Sequence, residues 1–315
     1  MTAAIKTVKP KALRPGATLG IISPASTPKA DLVTQGIAAL ETVGYHTKLF
    51  PHALDRGPMY YAGTLPDRLA DLHAAFADDE IDGIICTRGG WGSAELLPHL
   101  DKSLIAANPK ALLGYSDITS LHTWLQRECG LVTFQAPMVA ADFSHNPGPD
   151  LASWNAAFGG SQAWSLGAES GLRTLRPGTA EGVLDGGCIS IYAEGLGTPY
   201  GPLAHDGLLF FEDIGVKPYQ WDRMLVHLQH AGLLAGVRGI IFGDMQQCGG
   251  ADEQQAIQES LLYALRDFAG PIAIGLRTGH VDSGNVTLPL GIQVRLDCGD
   301  AGNPQLHFLE AAVQG

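Results

Sequence analysis

Ala111-Leu112-Leu113-Gly114-Tyr115-Ser116-Asp117-Ile118-Thr119 is the stretch on which the reading of the fold turns. An apolar run stops, one Gly-x-Ser turn follows, and an amphipathic stretch begins with Ile118, Leu121 and Leu125. Strand, sharp turn and helix in that order form an elbow. It lifts a hydroxyl clear of the backbone, beside the free N–H groups and positive dipole end of a helix. Two readings of Ser116 stay open on this stretch alone: a nucleophile, or the N-cap of the helix that follows.

The pattern repeats upstream. Ala17 to Ile22 reads as a buried strand ending at Ser23-Pro24-Ala25-Ser26, and Val33, Ile37 and Leu40 then recur at helical spacing. Leu69, Leu72 and Phe76 do the same before a second strand, Ile81 to Cys86; Ala111 to Gly114 is a third. Strands alternating with helices predict an α/β domain with a parallel sheet covered on both faces. Its ligands are expected beyond the carboxyl ends of the strands, after Ile22, Cys86 and Tyr115.

Downstream, Asn146-Pro147-Gly148-Pro149 and Gly159-Gly160-Ser161 read as linker punctuation. Strand candidates then dominate: Gly182–Leu184, Gly207–Phe211, Gly239–Phe242, Ile272–Gly275, Gln293–Leu296 and Leu306–Leu309, with helices near 219–231 and 253–268. The expected layout is an α/β parallel-sheet domain over 1–142, a linker over 143–178, and a smaller, strand-rich α/β domain over 179–315. A chain of 315 residues also exceeds the usual single core.

Hydrophobic residues make up 45% and charged residues 17%, which marks a globular protein; the net charge of −12 argues against nucleic acid or an anionic membrane as partner. An anionic ligand would need a local basic pocket. Five cysteines, an odd number without a Cys-x-x-Cys pair, disfavour a disulfide framework or a zinc knuckle. With no apolar signal core near Met1 and no run of 18 apolar residues, the expected compartment is the cytoplasm.

Three polar residues terminate apolar runs. Ser116 follows Ala111–Tyr115, Glu212 follows Leu208-Leu209-Phe210-Phe211, and His280 follows Ile272–Gly275 after Leu276-Arg277-Thr278-Gly279. A nucleophilic serine needs a base, and the base needs a carboxylate to fix its tautomer. These three have the right chemistry, although Glu212 could instead pair with Arg223 and His280 could be a turn residue. The loop Thr87-Arg88-Gly89-Gly90-Trp91-Gly92-Ser93 fits neither a dinucleotide fingerprint nor a phosphate loop. It is either a plain turn or a backbone donor to an oxyanion, with the Asp117 N–H as partner. Trp91 on it is expected to be exposed. His227 and His230 lack further residues at ligand spacing, so no metal is expected. Asp117 and Asp213 are read as braces of their turns.

With these segments in hand, the chain resembles the LD-carboxypeptidases, the muramoyl-tetrapeptide carboxypeptidase family of serine peptidases. The resemblance rests on Leu13-Arg14-Pro15-Gly16-Ala17, Ser23-Pro24-Ala25, Tyr61-Ala62-Gly63-Thr64, Arg88 to Ser93, Pro109-Lys110 and Gly114 to Thr119. It continues through Gly197-Thr198-Pro199-Tyr200, Phe211-Glu212-Asp213, Pro218-Tyr219, Asp222 to Leu225, Gly279-His280 and Leu288 to Gly291. It implies a Ser116–Glu212–His280 triad, an oxyanion hole at Gly90 and Asp117, and neither metal nor cofactor. It further implies a cytoplasmic homodimer acting on a small peptide, the murein tetrapeptide. Arg88, Trp91, Arg223 and Arg277 lie near the motifs as candidate substrate contacts.

The chain departs from the family pattern at Trp91, where Tyr is frequent, at Lys217, near a usual acidic position, and at Gly186-Gly187-Cys188, where Gly-Asn often stands. These departures bear on substrate preference. The alternatives are a related peptidase giving immunity to microcin C-like peptidyl-nucleotides, and a non-catalytic two-domain ligand-binding protein.

Overall fold

The first apolar run, Thr18–Ile22, is strand β1 of a computed structural model that describes residues 6–315 apart from 161, 205, 246, 250, 283 and 300–302. Then come α1 (Ala30–Thr42), β2 (His46–Leu49), α2 (Leu65–Ala77), β3 (Gly83–Cys86), α3 (Lys102–Ala107), β4 (Ala111–Gly114), α4 (Thr119–Cys129) and β5 (Thr133–Gln135). The rest of the chain supplies α5 (Leu151–Phe158), β6 (Trp164–Leu166), β7 (Arg173–Arg176), β8 (Gly178–Cys188), α6 (Ile189–Glu194), β9 (Gly207–Glu212) and α7 (Pro218–His230). It ends with β10 (Gly239–Gly243), α8 (Ala251–Ala264), β11 (Ile272–Leu276), β12 (Leu288–Leu290), β13 (Gln293–Cys298) and β14 (Gln305–Phe308).

Two mixed sheets result. The first runs β12-β5-β4-β3-β1-β2, with β1 to β5 parallel and β12 antiparallel on the β5 edge. The second runs β6-β14-β13-β8-β9-β10-β11-β7, parallel through β8-β9-β10-β11 and antiparallel on both flanks. The α/β architecture with a strand-rich second half is therefore the one the sequence implies. Every residue of β3, β4, β9 and β10 is buried, which is why these strands read as unbroken apolar runs. Local chemistry sets helix ends: Thr64 and Asp67 form a capping box at α2, and Gly130 closes α4 in the left-handed region at φ 65°.

Residues 143–178 correct the linker expectation. They carry α5, whose Trp154 and Phe158 are fully buried, and the two edge strands β6 and β7 of the second sheet. The Pro/Gly clusters mark turns between these elements. The halves are also interleaved: β12, from beyond His280, completes the first sheet, and one apolar cluster holds Phe134 and Phe158 together with Leu208, Phe210 and Leu288. Ser116 follows β4, Glu212 ends β9, and His280 follows β11, so all three stand at carboxyl ends of parallel strands.

Candidate active site

Ser116 sits at the turn between β4 and α4 with φ +62°, a left-handed conformation that costs a non-glycine residue about 1–2 kcal/mol. A short 3-10 turn, Ser116–Ile118, leads into α4, and Ile118 N–H donates to the Tyr115 carbonyl at 3.3 Å. The elbow fits because its neighbours are small. A Cβ on Gly89 would lie 2.7 Å from Ser116 Cβ, and one on Gly114 would lie 3.0 Å from the Ile118 side chain. His122, fully buried on α4, donates from Nε2 to the Gly114 carbonyl at 2.8 Å, tying helix to strand. Burial drives its pKa down to about 4, so this histidine is neutral and structural.

Glu212 is 2% exposed. Its Oε2 accepts from the His280 backbone N–H at 3.1 Å and pairs with His280 Nδ1 at 2.7 Å. Its Oε1 accepts from Gln135 Nε2, at the end of β5, at 3.3 Å. This leaves Nε2 as the imidazole nitrogen that Glu212 does not hold. Burial pushes the His280 pKa down, but the charge and hydrogen bond of Glu212, with Asp213 and Asp142 beyond, carry it net above 6.5. Glu212 pairs with His280 rather than with Arg223, whose guanidinium lies over the Tyr219 ring at 5.8 Å.

Ser116 and His280 line one cavity of about 590 Å³ with Arg88, Gly89, Gly90, Tyr115, Lys29 and others. Among the described residues no hydrogen-bond acceptor takes the Gly90 N–H, while Ser26 Oγ takes that of Trp91 at 3.0 Å. Gly90 holds φ +112°, and a Cβ there would lie 2.4 Å from Ser26 Oγ. The Asp117 N–H belongs to the opening turn of a helix, where no preceding carbonyl is available. Asp117 and Asp213 do brace turns. Asp117 Oδ2 accepts from Ser93 N–H at 2.8 Å, and Asp213 accepts from Ser190 and Ile214 N–H at 3.0 and 2.8 Å.

Of the four candidate substrate contacts, only Arg88 lines this cavity. Trp91, 40% exposed, lines a neighbouring cavity of about 230 Å³ with Asp117. Arg223 and Arg277 are not among the lining residues of the Ser116 cavity. Arg223 stands on the outer face of α7, and Arg277 spends its guanidinium on the Glu169 carbonyl at 2.5 Å, closing the turn before β7. Lys29, at the start of α1, escaped the sequence reading because no motif surrounds it. His227 and His230 are exposed on α7, and the one group of metal-type ligands among the described residues is elsewhere, at His52, Asp55 and Asp67.

Comparison with known proteins follows the same division of the chain. The family model for the LD-carboxypeptidase N-terminal domain matches residues 19–136, and that for the C-terminal domain matches 181–296. A probable murein peptide carboxypeptidase of Bacillus subtilis is 38% identical over 295 residues, covering 92% of this chain and 91% of the relative. The crystal structure of a muramoyltetrapeptide carboxypeptidase from Oxalobacter formigenes superposes with TM-score 0.83 at 26% identity, covering 94% of this chain and 99% of that one. A microcin C7 self-immunity protein shares the fold, with TM-score 0.87 at 24% identity over 97% of this chain and 99% of that one. Matched in both halves and along nearly its whole length, the chain belongs to the LD-carboxypeptidase family.

Proposed function

We propose that the protein is a serine LD-carboxypeptidase that removes the terminal D-alanine of the murein tetrapeptide L-Ala-γ-D-Glu-meso-diaminopimelate-D-Ala. Its setting is cytoplasmic cell-wall recycling, as a homodimer without metal. One observation carries the reading: Glu212 holds His280 by Nδ1 at 2.7 Å in the lining of the cavity that Ser116 enters from a left-handed elbow. Ser116 Oγ attacks the carbonyl between the L-configured centre of diaminopimelate and D-alanine. His280 Nε2 takes the hydroxyl proton and returns it to the leaving amine. Glu212 orients the ring and stabilises its charged form without accepting the proton. The N–H groups of Gly90 and Asp117 hold the oxyanion, each worth about 3 kcal/mol. Water then hydrolyses the acyl-enzyme by the same proton path.

A carboxypeptidase must also bind a free carboxylate, in a protein of net charge −12. Lys29 and Arg88 line the cavity, and neither makes an ion pair with another described residue. Both are therefore available to the D-alanine carboxylate.

The test is mass spectrometry of the tetrapeptide after incubation with wild type and with Ser116→Ala. Loss of one D-alanine with wild type alone is expected. Loss with both proteins removes Ser116 as nucleophile. No loss with wild type, but cleavage of an aminoacyl sulfamoyl adenosine, moves the protein to the peptidyl-nucleotide branch; inertness toward both leaves a ligand-binding role.

A further inference from the structure

Glu212 fixes one nitrogen of His280; a second group of buried residues acts on the other side of the loop. The Tyr115 ring packs edge-on against the imidazole, centroids 5.2 Å apart and planes at 90°. Tyr115 is buried, and burial first and then the nearby Asp142 carboxylate push its hydroxyl pKa well up. Asp142 lies on a single π-turn, Val139–Phe143, and is 7% exposed. It also accepts from Met138 N–H at 2.7 Å and from Asn285 Nδ2 at 2.7 Å. Asn285, 2% exposed, clamps the residue before the histidine: its Oδ1 accepts from Gly279 N–H at 3.0 Å and its Nδ2 donates to the Gly279 carbonyl at 3.1 Å.

One carboxylate thus stands between the residue preceding Ser116 and, through Asn285, the residue preceding His280. A charge is an expensive way to hold two loops together, because desolvation opposes it. Burial pushes the Asp142 carboxyl up to about 6 against the pull of Met138, Asn285 and Tyr115. The charge is repaid where it acts on another charge, and Asp142 adds to the field that favours the protonated form of His280.

We propose that Asp142 is a positioning residue of the catalytic apparatus. Through Tyr115 and Asn285 it sets the Ser116 elbow against the His280 loop, and its charge supports the imidazolium formed during turnover. The inference rests on the Ser116–His280–Glu212 reading. The groups facing His280 are Glu212, Asp213, Asp142 and Tyr115, with Lys29 and Arg88 in the same cavity lining. Those facing Asp142 are Tyr115, Asn285 and His145, with Asp282 across a cavity of about 230 Å³.

The experiment combines tetrapeptide kinetics with NMR titration of the His280 imidazole in wild type, Asp142→Asn and Tyr115→Phe. Asp142→Asn should lower the His280 pKa and reduce kcat between about 10- and 100-fold, the cost of a small misplacement, with KM nearly unchanged. Tyr115→Phe keeps the ring and deletes only the hydroxyl; it should reduce kcat while leaving the His280 titration near wild type. An unchanged titration and kcat in a folded Asp142→Asn protein overturns the proposal. If that variant does not fold, Tyr115→Phe decides: full kcat overturns the positioning role, and reduced kcat at unchanged Tm supports it. If wild type does not turn over the tetrapeptide, the proposed substrate fails, but the NMR titration still tests the coupling of Asp142 to His280.

Discussion

At the scale of the residue, His280 makes activity and stability pull in opposite directions with pH. Its folded pKa is raised above 6.5, chiefly by Glu212 overcoming the opposing effect of burial. The stability gained from the charged ring is fully present below 6.5 and is lost as the pH rises through the raised value. A general base must be neutral, so kcat/KM should climb over the same interval. Glu212→Gln removes the charge and leaves the imidazole tautomer poorly held. Its kcat should fall on the order of 10³–10⁴-fold, and the acid limb of the residual activity should move to lower pH; a pH–rate profile of both proteins checks this. An acid limb that stays in place would remove Glu212 as the source of the shift. Arg88→Ala should raise KM for the tetrapeptide with little change in kcat or Tm, because Arg88 is exposed and among the described residues its side chain hydrogen-bonds the Gly89 carbonyl alone, at 3.2 Å; steady-state kinetics would show it. Ser116, Glu212 and His280 were legible in the sequence because each ends an apolar run and strand ends meet in α/β folds. Lys29, Gln135, Asp142 and Asn285 were not, since each reaches the site from a segment whose local pattern is unremarkable and whose partner lies far away in sequence.

At the scale of the element, the loop from β11 to His280 shows how backbone conformation delivers a side chain. Gly279 holds φ +87°, and a Cβ there would lie 2.4 Å from Glu212 Cδ. Both neighbours of that contact are fixed, Glu212 by His280 and Gln135, and Gly279 by Asn285. Gly279→Ala should therefore cost about 1–2 kcal/mol from the backbone alone. By displacing the carboxylate it should also lower kcat/KM on the order of 10²-fold. Thermal unfolding and kinetics on the same preparation separate the two effects, and a variant as active as wild type would show that the Glu212 carboxyl has room to shift. The interior strands β1, β3, β4, β9, β10 and β11 announced themselves as apolar runs, whereas the edges β2 and β7 did not. β2 is His46-Thr47-Lys48-Leu49 with no residue fully buried, and β7 is Arg173-Thr174-Leu175-Arg176. An edge strand has one partner and an open side, so it keeps the polar composition of a loop. That is why β2 and β7 carry no strand signal and why residues 143–178 read as a linker.

At the scale of the whole molecule, the chain order hides a dependence between the two halves. Beyond β5 the first sheet is completed by β12, which comes from beyond His280 and pairs Leu288 with Gln135, Pro289 with Phe134 and Leu290 with Thr133. Proline is tolerated there because β12 is an edge. Tyr45 donates from its hydroxyl to the Leu13 carbonyl and accepts from Trp154 Nε1 at 2.9 Å, so α5 also closes the core of the first half. A fragment ending at residue 142 would lose Trp154, Phe158, Leu288 and Leu290 from a shared apolar cluster. Each aromatic removed from such a core costs about 3–5 kcal/mol, and a typical domain has only about 5–15 kcal/mol in all. The isolated 1–142 fragment should therefore show no cooperative melting transition and should bind a hydrophobic dye. The full chain should melt in one transition, with calorimetric and van't Hoff enthalpies in agreement. A fragment that melted cooperatively would instead make the first half an autonomous unit. The expected result ties architecture to mechanism. The same crossing that carries the chain from His280 back to β5 accompanies the bond of Gln135 Nε2 to Glu212 Oε1 at 3.3 Å, so Glu212 and, through it, His280 are anchored to the sheet that bears Ser116.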